Sequence, residues 1–302
     1  MIKHEISLKR KIISKVVVAL IWAALFITIS LLGIIVVYVF YKGLTAINLD
    51  FLGGTRTSDH IGILPNILYT LYIILTTLLI ALPVGVGAAI FLNEYANGTR
   101  FAKIIEFITE VLAGIPSIIY GLVGFGIFIA GMSWTINIGS FSFTLGLPSG
   151  RPSVLVGSLT LSMLVLPTIV RVTGEALKTV PRSQKEGAAA LGAPKWHTIR
   201  TIILPYSKDG ILGGIILAIG RMAGESAALL FTAGMGFRLV TNYFEAVNVP
   251  GATLSVALFT YVTEQNELEV AFAVAAMLII FVLTLNLLVK LIKKIFSKGE
   301  QR

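Results

Sequence analysis

An all-α integral membrane protein with six transmembrane helices is the fold this sequence predicts, and three observations carry it. Hydrophobic residues fill 56% of the 302 positions, charged residues only 13%, and the mean hydropathy is +0.91. A soluble domain carries about a quarter of its residues charged, so the solvent for most of this chain is lipid. Six uncharged or nearly uncharged runs approach the roughly 20 residues that cross a hydrocarbon core of about 30 Å. Finally, lysine and arginine sort between alternate loops instead of forming one soluble face.

Taken in order, a basic tail at 1–15 precedes a first span at about 16–41, which has no charged residue in the 26 positions from Val16 to Tyr41. That run is too long for the apolar part of a secretory signal and no small-residue cleavage site ends it, so it is expected to be retained. The second span is placed at about 68–92 with Pro83 inside, and the third at about 107–131 with Glu110 near its start and Pro116 inside. Proline is tolerated within a membrane helix where neighbours satisfy the freed carbonyl. The fourth runs over about 153–170 with Pro167 near its end, the fifth over 211–234 and the sixth over about 271–289. Between the last two, the apolar stretch from Ala252 to Val262 is too short to span and predicts a helix lying at the outer surface. With no repeat or linker visible, 16–293 reads as one six-span domain, followed by a tail at 294–302.

The tails and the loops at 93–104 and 171–209 hold nineteen lysines and arginines; the opposite loops hold four, and Arg221 lies within a span. This asymmetry places both termini in the cytoplasm of a multi-pass protein of the inner (cytoplasmic) membrane. It also accounts for the net charge of +9, which topology and anionic lipid explain without nucleic acid as a partner. With no cysteine, disulfides and thiolate metal sites are excluded, and the scattered His4, His60 and His197 make a poor metal site. The chain lacks a G-x-x-x-x-G-K-[ST] loop, and Gly85-Val-Gly87, Gly124-Phe-Gly126 and Gly220-x-x-x-Gly224 read as sites of close helix packing. No catalytic residues, cofactor or metal are expected, and any ATP must be hydrolysed by a separate subunit.

The longest cytoplasmic loop, 171–209, contains EGAAALGAPKWHTIRTIILP from Glu186 to Pro205. Ser183 followed by Glu186 predicts a capping box, and Ala188 to Leu191 are strong helix formers. Gly192 suits the residue just past a helix end, and Pro194 the first turn of a second short helix. Two short helices and a sharp turn make a knob that membrane crossing does not require, whereas docking to a partner does. The segment resembles the signature of ABC importer permeases: E-A-A, three residues, G, nine residues, I-x-L-P. Glu186, Ala188, Gly192, Ile202, Leu204 and Pro205 match, and Gly187 departs. The resemblance implies a type I ABC importer permease core whose loop is a coupling helix seated in a groove of the cytoplasmic ATPase.

Span five is the least ordinary. Arg221 lies ten residues after Ile211, about 15 Å along a helix, so near the midplane, where a charge marks a pathway or an interior pair. Glu225, four residues on, shares its face, so the two either neutralise each other or open to a passing anion. Arginine offers a planar fork of donors suited to an oxyanion. Arg171 closes span four as a pathway residue or as an interfacial anchor. AIGRMAGESAALLFTAG resembles a block of phosphate-importer permeases of the PstA type, departing at Ser226 and Ala228; LPTIVRVTGEALKTVP resembles the stretch before their coupling helix. That family implies phosphate passage past Arg171 and Arg221, and three partners: a homologous PstC-type permease, a PstB-type ATPase dimer and a PstS-type extracytoplasmic phosphate-binding protein. An ABC permease for another oxyanion or an organic solute, and an ion-coupled secondary carrier, remain as alternatives.

Overall fold

The computed structural model describes residues 8–55, 61–131, 134–138, 141–145 and 150–299. Parts of both basic tails, with Lys3 and Arg302, lie outside the described residues. Helix α1 (Leu8–Gly43) packs along α13 (Leu268–Gly299), where Tyr38 meets Phe272 edge-to-face at 5.5 Å. A short α2 (Leu49–Gly53), capped by the Asn48 side chain, leads to α3 (Leu64–Ile90), which continues through a π-helical turn at Phe91–Tyr95. Next come α4 (Arg100–Ala113) and α5 (Ser117–Phe128), then an antiparallel hairpin of β1 (Trp134–Ile138) and β2 (Phe141–Leu145). Its apolar-polar alternation, WTINI and FSFTL, is the period of a strand pair.

Helix α6 (Val154–Lys178) precedes α7 (Arg182–Ala190) and α8 (Lys195–Thr198), which runs through a second π turn at Ile199–Ile203 into α9 (Leu204–Ala223). The chain closes through α10 (Ala227–Thr232), α11 (Tyr243–Ala246) and α12 (Leu254–Thr263) before α13. Among the described residues, five helices are long and apolar enough to cross a membrane, or six when α4 and α5 count as one span.

The third predicted span is not a single helix. Gly114, Ile115 and Pro116 interrupt it, and its two limbs meet at 103°. Pro116 has no N–H to bond back into α4 and disfavours helical backbone at the residue before it, which turns the chain sharply. Nor is the 252–262 segment a surface helix. Leu254, Val256, Ala257 and Tyr261 of α12 are completely buried, against α13, α3 and α10. The segment leading into it is stitched to α3: Tyr69 and Tyr72 hydroxyls donate to the carbonyls of Arg238 and Thr241, both at 2.9 Å, and the Asn66 amide donates to Ala252 at 2.8 Å. Irregular backbone survives between membrane helices only when its polar groups are satisfied in this way. Polar side chains of α3 that sequence alone shows as isolated thus hold the loop inside.

The centre of the bundle is α3 against α6, with α9, α10 and α5 around them. Close approach needs glycine: a β-carbon on Gly85 would lie 2.6 Å from the Ile169 side chain, and one on Gly121 would lie 2.8 Å from the Ala228 Cα. Because the second obstacle is backbone, no rotamer change relieves it. Gly121→Val is therefore expected to destabilise the α5–α10 contact by about 1–3 kcal/mol, read as a lower thermal midpoint of the detergent-solubilised protein. An unchanged midpoint would mean the two helices separate freely. Of the other glycine pairs, Gly124 meets Thr160, whereas a β-carbon on Gly220 would meet nothing within 4 Å and Gly224 is exposed, so this pair packs on no other helix among the described residues.

Candidate functional site

Predicted span five is broken. Helix α9 stops at Ala223, capped by Gly224, and α10 restarts at Ala227. Glu225 falls in the break, so the i,i+4 geometry expected to join it to Arg221 does not exist. Its Oε1 instead accepts the Ala228 N–H at 3.2 Å at the start of α10, while its carbonyl accepts the Ser255 hydroxyl at 2.7 Å. The Arg221 guanidinium donates to Thr168 Oγ1 of α6 at 3.2 Å, a neutral partner, and among the described residues no carboxylate forms an ion pair with it. Arg221 is half-buried and the adjacent Gly224 exposed, so this charge faces an open side of the bundle. Lipid is a costly neighbour for a cation within a candidate span, whereas a water-filled passage or a second protein is not.

Thr168, Arg171, Glu175 and Lys178 recur every three or four residues and share one face of α6. Lys178 ends the helix and Thr168 lies about 15 Å further in, at 1.5 Å per residue. Arg171 Nε donates to Glu175 Oε1 at 3.1 Å, and Lys178 Nζ meets Glu106 Oε1 of α4 at 3.3 Å. Side chains of both pairs are more than half exposed. A cavity of about 340 Å³ opens among them, with Asn93 and Glu110 also on its wall. Helix α6 continues past the expected end at Val170 for two more turns, so Arg171 lies within the helix, on the wall of this cavity, instead of closing the span.

At the same end of the bundle, α7 and α8 form the expected hairpin, with differences. Pro181 at φ −57° and ψ 136° stands at the N-cap, Arg182 is the first helical residue, and Ser183 lies inside the helix, so the capping box does not form. Pro194 likewise stands just outside α8. Gly192 does end α7: at φ +75° it donates to Ala189 while Ala193 donates to Ala188, the paired bonds of a glycine-terminated helix. The second arm is no separate short helix, because 195–223 is one continuous helix. Pro205 lacks the N–H that a regular helix needs at this point, and the π turn before it absorbs the defect, Leu204 donating to Ile199 instead.

Of the motif residues, Ala188 is buried, Ile202 and Leu204 are half-buried, and Glu186, Gly192 and Pro205 are exposed. They thus divide between the hairpin and the base of α9 and form no single cluster. The hairpin is tied to the π turn of α3 by an ion pair of Lys185 with Glu94, whose side chain is only 10% exposed, and by Lys195 lying 4.9 Å above the Tyr95 ring. Its tip presents Leu191, 90% exposed, and Trp196, 58% exposed. Neither belongs to the motif, although an unpartnered leucine beside a helix-ending glycine is a signal that sequence offers. Among the described residues no group of His, Cys, Asp or Glu is placed to hold a metal.

Known proteins resemble this chain in sequence and in architecture. Residues 81–302 match the binding-protein-dependent transport system inner membrane component family. The probable ABC transporter permease protein YqgI of Bacillus subtilis is 33% identical, covering 93% of this chain and 95% of that one. The phosphate transport system permease protein PstA of Haemophilus influenzae is 34% identical over 93% and 94%. Among solved structures, a bacterial alginate ABC transporter in complex with its alginate pentasaccharide-bound periplasmic protein superposes with a TM-score of 0.58, covering 96% of this chain and 95% of that one at 17% identity. At that identity the likeness speaks for the fold alone.

Proposed function

The chain belongs to the family of binding-protein-dependent transport system inner membrane components, and from that premise we propose that it is the half-pathway of an ATP-driven importer of inorganic phosphate. The family membership makes it a multi-pass, non-catalytic permease subunit of an ABC importer. Such a permease works with an ATPase on one side of the membrane and a binding protein on the other. The phosphate reading rests chiefly on Arg221, a guanidinium within a candidate span that is hydrogen-bonded to a hydroxyl and, among the described residues, to no carboxylate. An arginine fork matches a tetrahedral oxyanion, and a charge within a span typically marks a polar pathway. Similarity to a phosphate transport permease supports the same cargo.

In this reading the hairpin end is cytoplasmic, as the positive loops require. Leu191 and Trp196 at its tip, with Glu186 beside them, dock on the ATPase, and Ala188 and Gly192 hold the hairpin's shape. The open side of α9 around Arg221 faces a homologous PstC-type permease, the cavity lying between the two. A PstB-type ATPase dimer and a PstS-type binding protein complete the assembly.

The deciding experiment is uptake by the importer assembled in proteoliposomes with its binding protein. ATP-dependent entry of phosphate, with sulfate and molybdate excluded, is the expected result. Preferential uptake of another anion would reassign the cargo, and transport by this chain without any ATPase would favour an ion-coupled carrier.

A further inference from the structure

The three cations of the α6–α9 face differ in one respect: which of them already holds a carboxylate. Arg221 meets the Thr168 hydroxyl, whereas Arg171 and Lys178, about 4.5 and 15 Å further toward the hairpin end along α6, are engaged by Glu175 and Glu106. The cavity that contains these lower pairs also has Glu110 on its wall, so three carboxylates face two cations there. Electrostatically, the passage changes from a full positive charge at Arg221 to compensated pairs below it.

Resting on the proposal that the cargo is an oxyanion, we propose that Glu175 and Glu106 are release residues, carboxylates that occupy Arg171 and Lys178 so that the exit half of the pathway conducts an anion without retaining it. Exposed ion pairs hold their partners weakly, because water and salt screen them. An arriving oxyanion can displace Glu175 from Arg171 and is in turn displaced by it, so each cation offers an exchange site and not a trap. Without Glu175 and Glu106, Arg171 and Lys178 would face only Glu110 in this cavity and would hold an anion more tightly, and exit would be slow. A purely structural role fits Arg171–Glu175 poorly, because both residues lie on one helix and the pair joins no two elements.

The test compares the assembled importer, solubilised without its binding protein, with its Glu106→Gln/Glu175→Gln variant in equilibrium dialysis against radiolabelled inorganic phosphate. The variant is expected to retain phosphate at least about tenfold more tightly and to show slower ATP-driven uptake once reconstituted, and adding Arg171→Gln should reverse the tighter retention. If removing the α4–α6 pair prevents assembly, Glu175→Gln alone carries the test, since it disrupts no contact between helices. Unchanged retention in an assembled variant overturns the release role. Failure of the unsubstituted importer to take up phosphate overturns the oxyanion reading itself, so the two failures are told apart by that control.

Discussion

Replacing Arg221 with alanine is expected to lower ATP-driven phosphate uptake by at least about tenfold, since a hydrogen bond to a charged group contributes about 1.5–3 kcal/mol and each 1.4 kcal/mol is a factor of ten. Assembly should survive, because the guanidinium is tied to the rest of the bundle through the neutral Thr168 hydroxyl and removing it strands no buried charge. Arg221→Lys separates charge from shape. It keeps the cation but not the planar fork, so uptake should fall between that of the unsubstituted protein and that of the alanine variant. Initial rates in proteoliposomes decide the matter, and near-normal uptake by Arg221→Ala would remove the residue from the pathway.

Gly192→Val should produce the other large effect, of a different kind. At φ +75° a β-branched residue is strained by roughly 1–2 kcal/mol, and relief requires unwinding the last turn of α7, where Ala188 and Ala189 accept the terminal bonds. Leu191 and Trp196 would then lose their fixed spacing. The expected result is ATP hydrolysis that continues while uptake falls several-fold, measured as ATP consumed per phosphate imported. Gly192→Asn, which tolerates left-handed backbone, should retain much of the coupling. Normal stoichiometry in the valine variant would mean that the hairpin's shape does not matter.

Much of this is legible in the sequence, for reasons that can be located. Long apolar runs leave a helix as the only solution in lipid, so the helical class follows from composition alone. The turn at Gly192 is legible because only glycine fits that backbone freely. Other features depend on distant partners and so leave no local trace. The burial of α12 depends on Asn66 and Tyr69, more than 160 residues away, and a short apolar stretch reads the same whether it lies on a surface or in a core. The separation of Arg221 from Glu225 is hidden because a purely helical spacing runs on through Gly224, where the chain in fact breaks. The Glu94–Lys185 pair joins residues 91 positions apart, and neither stands out in its own segment.

The unbroken helix from Lys195 to Ala223 is a lever. Its 29 residues measure about 44 Å, with one end forming the second arm of the hairpin and the other bearing Arg221. A tilt of about 10° pivoted at the hairpin would sweep the arginine through roughly 7 Å, given a rise of about 1.5 Å per residue. The interruption at Gly224 unhooks the remainder of the span, so α10 need not follow. In the proposed importer, a stroke begun at the hairpin would reach the arginine without having to pass through α10.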